Sequence, residues 1–153
     1  MEISRKTYHV ERRAGGVTCR VEIEGDHGRA SYPLRHVIVH SPTGFEFGYG
    51  GSGPSDLALS ILLDHLGEIA GVPETNDQRQ ISAYLAHTKA RHLYQPFKWL
   101  FIAPQKTSSF QITSHQIDAW LRRDTEAEEL EQVLTLHQQH IEQRLARLKG
   151  RRR

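Results

Sequence analysis

The sequence predicts an α+β domain, an antiparallel sheet of short strands packed with helices, followed by a long C-terminal amphipathic helix. Three observations predict it. Polarity alternates with period two early in the chain, with Cys19, Val21 and Ile23 on one face and Arg20, Glu22 and Glu24 on the other. From Pro54 the period changes, and Leu57, Ile61, Leu62 and Leu66 recur at helical spacing. Beyond Asp124, Leu130, Val133, Leu134, His137, Ile141, Leu145 and Leu148 form one stripe on a helix of about 25 residues, roughly 38 Å long. The expected division is a core over residues 1–124 and a helix with a basic tail over residues 125–153.

In chain order, "YHVERRAGGV" predicts a hairpin partner for the alternating strand, turning at Gly15 and Gly16. "LRHVIVH" (34–40) is β-branched and predicts a strand, "SPTG" a turn, and "FEFGY" a returning strand. A helix then runs to about Leu66 and stops at Gly67. "NDQRQISAYLAHTKARHL" predicts a second helix. "QPFKWLFIAP", bounded by Pro96 and Pro104, predicts a strand whose hairpin partner is "SSFQIT". That strand would set Phe97, Trp99 and Phe101 on one core-facing side. "SHQIDAWLRR" predicts a short helix, and Thr125 with Glu128 the capping box of the last one. Acids at its start and bases at its end complement the helix dipole.

The bulk composition fits one soluble globular domain: 153 residues, 37% hydrophobic, 25% charged, net charge +2. One cysteine, Cys19, excludes an intrachain disulfide, and its place on an apolar strand face predicts an inert buried thiol. The N-terminal segment lacks a signal-peptide core, and no apolar run approaches the ~20 residues of a membrane span. The expected location is the cytoplasm, with no membrane partner. Basic character concentrates in the tail at Arg144, Arg147, Lys149, Arg151, Arg152 and Arg153, and the rest of the chain is slightly acidic. This tail suits a solvated helix end, nucleic-acid phosphates, or an acidic protein surface.

"GYGGSGP" carries Gly48, Gly50, Gly51 and Gly53 between an aromatic run and a helix. Strand, glycine loop and helix is a phosphate-binding order. The segment lacks both the Lys-Ser/Thr ending of a P-loop and the GxGxxG spacing. With Gly53 as N-cap, Asp56 falls at the third helical position and competes with an anion. The glycines therefore predict a compressed turn, with a partner surface at Tyr49, Gly50, Gly51 and Ser52. Ser52 does not sit in a Gly-x-Ser-x-Gly elbow. His36 and His40, four apart on the expected strand, lie about 13 Å apart. His137 and His140 are one helical turn apart without accompanying carboxylates or cysteines. No metal, cofactor or catalytic residue is expected.

"HSPTGFEFGYGGSGPSDLALSILLD", with "YQPFK" and "IDAWL" further on, resembles the signature of an uncharacterised family of small proteins from phages, plasmids and other mobile elements. The resemblance spans residues 40–121, and Phe47 stands where that family often has Trp. It implies no activity and no catalytic residues. It implies a mobile-element accessory role, such genes often encoding inhibitors of host defence, anti-CRISPR proteins among them. The expected function is thus a non-enzymatic protein that binds a protein partner, such as a host defence complex. The alternatives are nucleic-acid binding through the basic tail, and a small ligand- or phosphate-binding enzyme using the glycine loop. A homodimer through the C-terminal helix is the expected assembly to test.

Overall fold

The computed structural model describes residues 3–151. They form an α+β fold whose sheet has the order β3-β2-β1-β4, every pair antiparallel. Strand β1 (Ile3–Arg13) pairs with β2 (Gly16–Gly25) through a hairpin closed at Arg13 and Gly16, where Gly16 takes φ +117°. β2 turns at Gly25–Gly28 into β3 (Gly28–Pro33), a strand the periodicity does not announce. β4 (Ser109–Thr113) adds to the other edge of β1. Opposed Tyr8 and Val21, Val10 and Cys19, and Tyr8 and Ile112 are all buried and build one apolar face.

Helix α1 (Ser52–His65) is the core element, buried at every residue from Gly53 to Asp64. Leu57, Leu59, Ile61, Leu62 and Leu63 are fully buried, each worth about 1.5–3 kcal/mol over exposure. A helix apolar all round must be enclosed, and its polar groups then need internal partners. Ser60 and Asp56 find them in residues 34–41. The Val37 N–H donates to Ser60 Oγ (3.1 Å), and the N–H groups of Val39, His40 and Ser41 donate to the Asp56 carboxylate (3.3, 2.9 and 3.0 Å). Residues 34–40 are therefore not the expected strand. Leu34 N still donates to Cys19 O of β2 (2.9 Å), but the Val37, Val39 and His40 donors are spent on α1 side chains rather than on a neighbouring strand. Residues 45–49 likewise reduce to one bridge, Val17 to Phe45. α1 ends as the sequence predicts. Gly67 (φ +71°) donates to Asp64 O at 3.1 Å and Glu68 to Leu63 O at 2.8 Å, a Schellman closure.

The single helix expected over residues 76–93 is two. α2 (Gln78–Leu85) is capped by Asp77, and α3 (Lys89–Phe97) by Thr88, whose Oγ1 accepts from Arg91 N. The expected strand at residues 95–104 is absent. α3 passes Pro96 into a wide π turn (Lys98–Ile102), in which Ala103 N donates to Lys98 O at 2.9 Å. Buried Ala90, Tyr94 and Phe97 have helical spacing, and their packing overrides the strand preference of "FKWLFI".

The chain divides into two compact units, the first ending at Ser114 and the second beginning at His115. The second unit is helical throughout its described residues. It belongs to α4 (Ser114–Arg151), 38 residues and about 57 Å at 1.5 Å per residue. The two helices expected on either side of Asp124 are thus one, and Thr125 is not a cap: its hydroxyl donates to Leu121 O at 3.0 Å within the helix.

Candidate functional site

The glycine segment is pinned from both sides. Phe47 is buried edge-on against Phe110 (4.9 Å, 74°), with the Arg12 guanidinium 4.1 Å over its other face. Arg12 also donates to Glu46 Oε2 (2.8 Å) and Phe47 O (2.9 Å). Gly48 N donates to Ile102 O (3.1 Å), and Lys106 Nζ donates to Gly48 O (3.1 Å).

Each glycine then has its own reason. Gly48 takes φ +90°, and a Cβ there would lie 2.9 Å from Gln105 O. A Cβ on Gly53 would meet Glu46 Cβ at 2.6 Å. These two glycines let backbone close on backbone. Gly50 and Gly51 differ, because what presses on them is aromatic: a Cβ would run into the Trp99 ring and the Tyr49 ring, respectively. Both rings are largely exposed, Trp99 at 58% and Tyr49 at 53%. The outward side of the loop is thus two aromatic rings seated on bare backbone, with exposed Leu100 next in the chain.

α1 starts at Ser52 with Gly51 as N-cap, two residues before the expected start. Asp56 consequently sits in the second turn and does not compete for an anion. It serves residues 39–41 and His36 Nε2 (2.8 Å). Beneath the loop, Ser55 Oγ donates to Gly51 O (2.9 Å) and lies 3.3 Å from the buried Lys98 Nζ, which sits 4.5 Å over the Trp99 ring. Burial holds the Lys98 amine below its ordinary pKa. The expected strand would bury Trp99, yet the ring is exposed and Lys98 beside it is buried. The apolar spacing Ala90, Tyr94, Phe97 leaves Trp99 off the buried face, and that was the available signal.

The other polar groups are structural in their contacts. Asp64 accepts from Tyr8 (2.5 Å), Tyr32 (2.5 Å) and Lys6 (3.1 Å). Burial, then Asp64, raises the Tyr8 phenol; burial, then the hydrogen bond to Asp64, raises the Tyr32 phenol. Cys19 is buried as expected, its thiol pushed up to about 12 by burial and by Asp64. His40 Nε2 meets Tyr94 OH at 3.0 Å rather than sharing a ligand with His36. His36 borders a cleft of about 360 Å³ with Ile38, Pro42, Thr75 and Gln78. Among the described residues no group of three or more metal-ligating side chains assembles. No described helix is long and apolar enough to cross a membrane.

The structure brings Tyr49, Gly50, Gly51 and Ser52 together at the exposed start of α1. Arg144, Arg147 and Lys149 are exposed on α4, Arg151 is its last described residue, and Arg152 and Arg153 lie outside the described residues.

Residues 8–80 match the family model described as "Family of unknown function (DUF6166)". No curated protein and no solved structure matches the chain. The matched stretch begins inside β1 and takes in β2, β3, the glycine loop and α1, whereas Trp99 and α4 lie beyond it. The chain therefore carries an uncharacterised domain similar to that family.

Proposed function

We propose that this is a non-enzymatic, partner-binding protein whose binding surface is the aromatic-faced glycine loop. One observation carries the reading: Tyr49 and Trp99 lie exposed on Gly51 and Gly50, on a loop held rigidly by Arg12, Lys106 and Ile102. Tyr and Trp are the side chains that most often anchor protein interfaces, and a loop backbone held before binding loses little entropy on docking. The rings also cover the backbone that an open phosphate cradle would present. The wider role, a mobile-element accessory inhibiting a host defence complex, rests on the sequence resemblance.

The test is affinity capture from bacterial lysate with the tagged full chain, with and without nuclease. A protein retained after nuclease, and lost from Tyr49→Ala and Trp99→Ala, is the expected result. Nucleic acid alone, lost when the chain is truncated after Leu148, would transfer the function to the basic residues beyond that point, Lys149, Arg151, Arg152 and Arg153.

A further inference from the structure

On α4, Leu130, Leu134, His137, Ile141, Leu145 and Leu148 lie along one stripe and all are exposed. Its apolar members, with Val133 at its edge, are 47–61% accessible. A contiguous apolar line of this length facing water marks an interface.

Its spacing is informative. Leu130 to Ile141, Leu134 to Leu145 and His137 to Leu148 are each eleven residues apart. An eleven-residue repeat keeps a stripe on one side of a helix pair with a slight right-handed coil, opposite in hand to the left-handed supercoil of a heptad seam. The stripe is also close to symmetric end for end. Leu130 with Leu148, and His137 with Ile141, are centred on residue 139, and Leu134 with Leu145 half a residue beyond. Such a stripe matches its own reverse.

The flanking charges select that reverse. At about 100° per residue, Glu129 and Arg147 project on one flank of the stripe, and Glu131 and Lys149 on the other. Two antiparallel helices related by a two-fold axis at residue 139 bring like flanks together. Glu129 then faces Arg147 of the second copy, and Glu131 faces its Lys149, each pair twice. A parallel pair would set acidic end on acidic end and basic end on basic end. We infer that α4 is a self-association helix, and that its occupant is a second copy of this chain packed antiparallel over residues 130–148. The paired segment is about 28 Å long.

The experiment is sedimentation equilibrium of the full chain across roughly 1–200 µM, with helicity followed by circular dichroism. The expected result is a shift from 17.5 kDa to twice that mass. Leu134→Glu abolishes it with helicity unchanged. His137→Leu replaces a polar side chain in the middle of the stripe with an apolar one and tightens association. Glu131→Lys weakens association about tenfold, since it turns two exposed attractions into repulsions. Adding Lys149→Glu to that variant restores it. A monomer at every concentration, for the wild type and for His137→Leu alike, overturns the inference. A dimer indifferent to Leu134→Glu overturns the surface. A dimer that Glu131→Lys weakens and Lys149→Glu does not restore overturns the antiparallel register.

Discussion

Asp64 shows how a buried charge is kept in this molecule. Its carboxylate takes three donors, two of them phenols at 2.5 Å. Tyr8→Phe removes a charge-assisted bond from a buried acceptor and should cost about 2 kcal/mol in urea unfolding. Asp64→Ala, which strands Lys6 and both phenols, should cost about 3–5 kcal/mol. The same cluster sets an alkaline limit. Tyr8, Tyr32 and Cys19 all ionise at higher pH folded than unfolded, so the stability they contribute is intact at neutral pH. It drains away as pH rises above the ordinary thiol value of 9.0 toward the folded value of about 12. The melting temperature should hold from pH 7 to about 9 and fall beyond. The glycines divide in the same way. Gly48→Ala and Gly53→Ala force backbone apart and should cost about 1–3 kcal/mol. Gly50→Ala and Gly51→Ala displace only exposed rings and should leave the melting temperature nearly unchanged. The need for glycine was legible in the sequence, but not which pair closes the turn and which seats aromatics. That distinction depends on Trp99, nearly fifty residues away.

Elements were legible where one local pattern decided them. The β1–β2 hairpin, α1 and its closure at Gly67 follow from alternation, helical spacing and a glycine in the left-handed region. Residues 34–40 misled because β-branched composition says nothing about who receives the N–H groups, and the receiver is Asp56, a turn into a later helix. Residues 95–104 misled because Pro96 resembles a boundary, whereas α3 runs through it into the π turn. Thr125 with Glu128 satisfies the capping-box pattern, yet the helix begins eleven residues earlier at Ser114. Thr125→Ala should therefore be neutral or slightly stabilising, since it replaces a mid-helix hydroxyl bonded to its own backbone. Thr88→Ala, at a true N-cap, should cost about 1 kcal/mol. Thermal melts of the two variants side by side distinguish a continuous α4 from two helices.

At the scale of the whole molecule, the α+β class was legible because the shift from period two to helical spacing is unambiguous. The proposed binding surface was only half legible. Tyr49 could be named from its glycine neighbours, while Trp99 needed the fold to carry it there. The two units differ in kind, with an exposed aromatic pair in the first and an exposed apolar stripe on a helix in the second. The measurement that tests the central claim most directly pairs Gly51→Leu with the wild type in nuclease-treated lysate capture, with the melting temperature of each recorded. The loop as partner surface predicts that a protein held by the wild type is lost from Gly51→Leu at an unchanged melting temperature. Retention of that protein by a folded Gly51→Leu would contradict it and leave the loop a turn and nothing more.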